Sequence, residues 1–128
     1  MNKLAKMTAH VAVAAVLAIQ TAHSQTYQPV FFVGQTVKDM GATDPGDPDS
    51  VCISAENLQR YGSSSDACAM GDAGSCNDAK GLEDSGACGA TYHVYVVLAV
   101  SQDLIELSPV QDRSKTYWAR ANDFQTAQ

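Results

Sequence analysis

Residues 62–89 hold three of the four cysteines and almost no side chain large enough to build a hydrophobic core. Serine, glycine, alanine and aspartate bury too little apolar surface to offset the entropy of ordering a backbone, so a covalent link must hold this stretch in shape. Such a link typically contributes about 2–4 kcal/mol by restricting the unfolded chain. Cys52, Cys68, Cys76 and Cys88 form an even set, which in a small exported domain reads as two disulfides. Three pairings are open. The nested one, Cys52 with Cys88 around Cys68 with Cys76, clamps the base of the segment and is preferred slightly over the sequential one. Zinc is the competing use, but no C-x-x-C pair is present and His93 is the only histidine beyond the leader.

The export reading comes from the other end of the chain. Lys3 and Lys6 precede an apolar run over residues 7–19, interrupted only by Thr8 and His10, and Ala22 and Ser24 supply small residues for cleavage before Gln25. This is the layout of a secretory signal peptide over residues 1–24. The run is shorter than the roughly 20 residues a membrane-spanning helix requires, and no cysteine near the cleavage site could carry a lipid. The compact leader is bacterial in style, so the expected destination is the periplasm or the external medium.

What remains, residues 25–128, is a single small domain by length. Losing Lys3 and Lys6 takes the formal charge from −6 to −8. An acidic chain of this kind is repelled by nucleic acid, whose binding depends on neutralising phosphates, and by anionic bilayers. It suits solubility, or a partner with a basic surface.

Along the domain, residues 25–39 read as a first strand with a bend at Gly34, and residues 40–50, MGATDPGDPDS, as loop. Val51, Ala55, Leu58 and Tyr61 recur at helical spacing, with Asp49 or Ser50 as cap and Gly62 where a left-handed terminal residue is wanted, so one helix of about three turns is expected over residues 50–61. Residues 62–89 complete a disulfide-rich loop insertion spanning 40–90. Residues 91–128 then form a three-stranded meander: TYHVYVVLAV (91–100), LIELSPV (104–110) and TYWARA (116–121), before a final helical turn near Asn122 and Asp123. Leu98, Val96, Ile105, Leu107 and either Tyr117 or Trp118 are expected to share the interior.

The segments VGQTV (33–37), YVVLAVSQDLIEL (95–107) and YWARANDF (117–124) together resemble the layout of SH3-like small β-barrels. The fold class expected is mainly β, with α+β as the alternative: a small SH3-like curled antiparallel sheet with one short helix and a long disulfide-stapled insertion. The resemblance implies loops clustered into a binding surface, on a scaffold that mostly binds peptides or other ligands rather than catalysing.

No catalytic constellation stands out. His93 is the one neutral-range proton carrier of the domain and reads as a strand histidine; no G-x-S-x-G elbow is present. Glu56, Glu83 and Glu106 could serve a glycosidase only as a desolvated pair, and their positions give none. Asp44, Asp47 and Asp49, and Asp72, Asn77 and Asp78, carry oxygen ligands of the kind calcium takes, but they lack the EF-hand spacing and read as turn makers. No metal or cofactor is therefore assigned. Tyr117 and Trp118 point to opposite faces of their strand, so one is expected outside, and Trp118 with Arg120 is the binding patch proposed from sequence. The expected function is an exported, non-enzymatic protein-binding module: a bacterial periplasmic inhibitor or immunity protein, or an accessory protein of a secretion or conjugation system. The alternative is a small envelope polysaccharide or peptidoglycan hydrolase using acidic residues such as Glu106.

Overall fold

A computed structural model describes residues 29–127; the leader and cleavage site expected over residues 1–24 lie outside them. The described chain runs β1 (Thr36–Asp39), β2 (Val51–Cys52), α1 (Ala55–Ala69), α2 (Ala73–Asp84), β3 (Val94–Ser101), β4 (Leu104–Pro109), β5 (Tyr117–Arg120), a 3-10 turn (Ala121–Asp123) and β6 (Phe124–Thr126). All six strands join one sheet in the order β2-β5-β4-β3-β1-β6, with every neighbouring pair antiparallel. Its end strands, β2 and β6, do not pair with each other, so the expected small barrel is an open sheet.

The sheet curls about Tyr95. Tyr117 on β5 and Phe124 on β6 each stand two strands away, yet their ring centroids lie 6.3 and 6.0 Å from that of Tyr95, both edge-on. In a flat sheet two strands would separate them by about 10 Å. The concave face collects Phe31, Val37, Val51, Tyr95, Val97, Ile105, Leu107, Ala119 and Phe124 into one buried cluster. Ile105, Leu107 and Tyr117 are interior as the alternation predicts. Val96 and Leu98 are not: β3 turns Tyr95 and Val97 inward, because Tyr95 pairs with Val37 and Val97 with Leu107. An extra residue in β3 at Leu98 then shifts the register, so that Val100 sits opposite Ile105. Such a bulge bends a strand and increases its local twist, which matches the curl.

The opposite face of β2, β5 and β4 is roofed by α1 and α2, so the fold is mixed α+β with two helices where one was expected. Ser54, not Asp49 or Ser50, caps α1 by accepting from the Asn57 N–H, and the helix runs through Gly62 to Ala69. Asp72 caps α2 in the same way, accepting from Gly74 N–H and Ser75 Oγ. The segment read as loop is therefore a helical hairpin. Arg60 and Ser64 on α1 both bond Asp78 on α2, and Tyr61 donates to Glu83.

The disulfides adopt the nested pairing. Cys68–Cys76 joins the last turn of α1 to the first turn of α2, while Cys52–Cys88 ties β2 to the residue that closes the insertion. Cys52 and Cys88 are buried with Leu58 and Leu82 in a second cluster, separate from the concave core. All four cysteines are paired. Alkylation of the native protein without reductant is accordingly expected to add no mass, and with reductant and denaturant to add four labels; any label taken up natively counts against this pairing. The first strand is shorter than expected, beginning at Thr36 after a tight turn in which Gln35 N–H bonds the Phe32 carbonyl and Gly34 takes a φ of +91°. A strand not expected, β6, returns along β1 and replaces the final helical turn beyond Asp123.

Candidate functional site

Three segments distant in sequence meet where α1 crosses the end of β5. The helix supplies Glu56, Leu58 and Gln59, the β3–β4 turn supplies Asp103 and Leu104, and β5 with its 3-10 turn supplies Arg120 and Asn122. Together they line a groove of about 560 Å³. A smaller cleft of about 220 Å³ continues past Arg120, lined by Ser50, Tyr61, Gly62, Ser65, Asp66 and Asp123. Leu58 and Arg120 belong to both.

Arg120 is placed by a glycine. Its guanidinium presses against Gly62 of α1, so that a Cβ at position 62 would come within 2.5 Å of Nη2. A glycine inside a helix costs about 1 kcal/mol relative to alanine, and the close approach of Arg120 is the physical reason for one here. Among the described residues Arg120 makes no ion pair. Carboxylates nevertheless surround it: Glu56 and Asp103 along the groove, Asp66 and Asp123 along the cleft. Burial, then the field of Asp39, raises the affinity of Asp123 for its proton, with Asp66 adding to the effect and Arg120 opposing it. The site is a half-buried cation with open hydrogen-bond donors, bordered by Leu58 and Leu104 and rimmed by acids.

The expected patch of Trp118 with Arg120 divides in two here. Both residues do share a face, with Trp118 opposite Cys52 and Glu106, and Arg120 opposite Leu104. That face is covered. Trp118 packs against the Cys52, Leu58, Leu82 and Cys88 cluster under the helical hairpin, so the expectation of a free exterior aromatic is corrected: it supports the roof. Arg120 alone reaches the groove.

A second polar cluster joins the loop after β1 to the start of β3. Asp49 is fully buried and accepts from the Tyr95 hydroxyl, from His93 N–H at 2.9 Å and from His93 Nδ1 at 2.8 Å. The other ring nitrogen, Nε2, lies 2.9 Å from the Pro45 carbonyl. An aspartate on Nδ1 is how a catalytic histidine is oriented, but a general base needs a lone pair on Nε2, and here that atom faces the Pro45 carbonyl. Burial, then the bond to Asp49, raises the affinity of the Tyr95 phenol for its proton.

The remaining candidates are dispersed. Asp47 accepts from Asp44 N–H in a turn and Asp49 is committed below His93, while Asp78 is held by Arg60 and Ser64. Among the described residues no three His, Cys, Asp or Glu side chains converge as a metal site would require. Glu83 accepts from Tyr61, Glu106 sits opposite Trp118, and Glu56 is exposed on the groove rim. Sequence reasoning singled out Arg120 as a candidate but did not place Leu58, Asp66, Asp103 and Asp123 around it, because only the folded sheet brings their segments together. Comparison with protein-family models, with curated proteins and with solved structures returned no match.

Proposed function

We propose that this chain is an exported, non-enzymatic protein-binding module whose contact surface is the groove between α1, the β3–β4 turn and the 3-10 turn. The observation that carries the reading is Arg120, a guanidinium held open by Gly62 with no ion-pair partner among the described residues. Arginine presents a planar fork of donors suited to carboxylates and carbonyls, and arginine is enriched among residues that dominate binding energy. Leu58 and Leu104 give the groove an apolar wall, and its acidic rim suits a partner with a basic surface.

We adopt the SH3-like reading for the scaffold. Its support is the strand order β5-β4-β3-β1-β6 with a 3-10 turn between β5 and β6, in which the helical hairpin occupies the excursion between β1 and β3. The groove is bordered by three of the connections that such a layout clusters together. Two disulfides favour an oxidising compartment, and among the described residues no helix is long and apolar enough to cross a membrane. Periplasmic or secreted localisation follows as part of the proposal, with an inhibitor or immunity protein, or an accessory protein of a secretion or conjugation system, as the class of role.

The test uses two variants that act on the same side chain differently. Arg120→Ala removes the guanidinium; Gly62→Ala leaves it in the chain and pushes it aside. Loss of a charged hydrogen bond amounts to about 1.5–3 kcal/mol, so Arg120→Ala is expected to weaken a partner captured from the native host by about tenfold or more. Gly62→Ala is expected to weaken it too, while raising or preserving thermal stability through the better helix former. Calorimetric titration of wild type and both variants against that partner decides: equal affinities reject the groove. Turnover of peptidoglycan that Glu106→Gln abolishes would instead establish the hydrolase reading.

A further inference from the structure

Residues 40–50 connect β1 to β2 without regular structure, so side chains must close the loop. Asp39 ties the ends together: its carboxylate accepts from Gly41 N–H at 2.7 Å and from Ser50 N–H at 2.6 Å. His93 ties the middle. Its ring bridges Asp49 Oδ1 at 2.8 Å and the Pro45 carbonyl at 2.9 Å. A neutral imidazole has one N–H and one lone pair, and cannot donate to two acceptors. Only the imidazolium satisfies both. The backbone is committed to the arrangement, since His93 takes a φ of +68°, uncommon for a residue with a side chain, and its N–H donates to the other oxygen of Asp49.

We propose that His93 is a proton-operated latch on the loop of residues 40–50: protonated, it bridges Asp49 and Pro45; deprotonated at Nε2, it keeps Asp49 and releases Pro45. The groups facing the ring are few. Asp49 lies beneath it and Asp47 adds its field from the same loop, while the Tyr95 hydroxyl from β3 occupies the second oxygen of Asp49. Lys115, from the β4–β5 connection, stands over the ring of Tyr92, the preceding residue, 5.6 Å from its centroid.

The Pro45 carbonyl raises the proton affinity of the ring above the ordinary histidine value; burial opposes it, and the bond and charge of Asp49, with Asp47, add to the rise. A raised folded value means the contribution of the latch to stability is complete below the unfolded pKa of about 6.5 and is lost as pH climbs through the folded one. The latch goes beyond the binding-module reading and does not depend on the groove.

NMR of the 15N-labelled protein between about pH 5 and 9 tests it on the intact protein. Both ring nitrogens of His93 are expected to be protonated at the acid end, with the Nε2 proton lost at a midpoint above about 6.5. Amide signals of Asp44, Gly46 and Asp47, which flank Pro45, should move and lose exchange protection with the same midpoint, while Gly41 and Ser50, held by Asp39, stay fixed. In His93→Gln the loop signals should no longer respond to pH over this range. A ring midpoint at or below about 6.5, loop amides that do not follow the ring, or a pH response that survives in His93→Gln would each overturn the latch. Should the glutamine variant fail to fold, the first two wild-type measurements decide alone.

Discussion

Asp49→Ala is expected to destabilise the protein by about 3 kcal/mol, since a hydrogen bond to a charged group contributes about 1.5–3 kcal/mol and a buried donor left without its acceptor costs about 1–3 kcal/mol. Small domains are stable by about 5–15 kcal/mol in total, so this one change removes a large share. The reason lies in who loses an acceptor. Asp49 is 0% exposed and binds three donors, the Tyr95 hydroxyl, the His93 backbone N–H and His93 Nδ1. His93 keeps partial access to water, with 28% of its side chain exposed, and can recover a bond there. Tyr95 is sealed in the concave core and cannot. The double variant Asp49→Ala with Tyr95→Phe is therefore expected to be more stable than the sum of its parts, by about 1–2 kcal/mol, because removing both partners avoids the orphaned hydroxyl. Urea unfolding of the four proteins measures it. Strict additivity would mean that the hydroxyl finds another acceptor and that the cluster contributes less than its geometry implies.

That cluster shows where a sequence stops being readable. Asp49 looks like a helix cap because it precedes an apolar periodic stretch, but the cap one turn later, Ser54, serves α1, and Asp49 is committed to two residues 44 and 46 positions away. The meander of β3, β4 and β5 was legible because its pairing is local: β-branched runs separated by short polar turns leave few alternatives. The disulfides were legible from the emptiness of residues 62–89, although what they hold is a helical hairpin. Helix α2, AGSCNDAKGLED, has two glycines and buries only Ala79 and Leu82, so its own propensity and pattern are weak. Its stability comes from Cys68–Cys76 and from Asp78 and Glu83 meeting Arg60, Ser64 and Tyr61 on α1, contacts that exist only once both helices are formed. Gly62 was misread for a related reason. In a single chain segment a glycine after an apolar stripe signals a helix end, whereas here it marks the point where a side chain from β5 presses on the helix. Strand β6 is three residues long and has meaning only beside β1.

Trp118→Ala is expected to lower stability by about 3 kcal/mol, at the lower end of the range of roughly 3–5 kcal/mol for deleting a buried tryptophan or phenylalanine, since the indole keeps some exposure. For a domain of this size the thermal midpoint would fall by roughly 12 °C or more. The expectation follows from its contacts: the ring packs on Cys52, Cys88, Leu58 and Leu82, so truncation opens a hole beneath the helical hairpin and beside the disulfide that anchors it. Tyr117→Ala, one residue earlier, would strike the concave core, where the phenol meets Tyr95 edge-on. Hydrogen exchange separates the two. The tryptophan variant should first lose protection in α1 and α2 and make Cys52–Cys88 easier to reduce, whereas the tyrosine variant should loosen β3 to β5. Trp118→Phe restores most of the volume and should restore most of the stability. It also decides what Trp118 means for binding. If Trp118→Phe recovers partner affinity along with the fold, the indole acts by supporting the helix against which Arg120 rests; if the fold recovers and affinity does not, the indole itself touches the partner. A midpoint unchanged in Trp118→Ala would place the ring outside the second core and return it to the exposed surface.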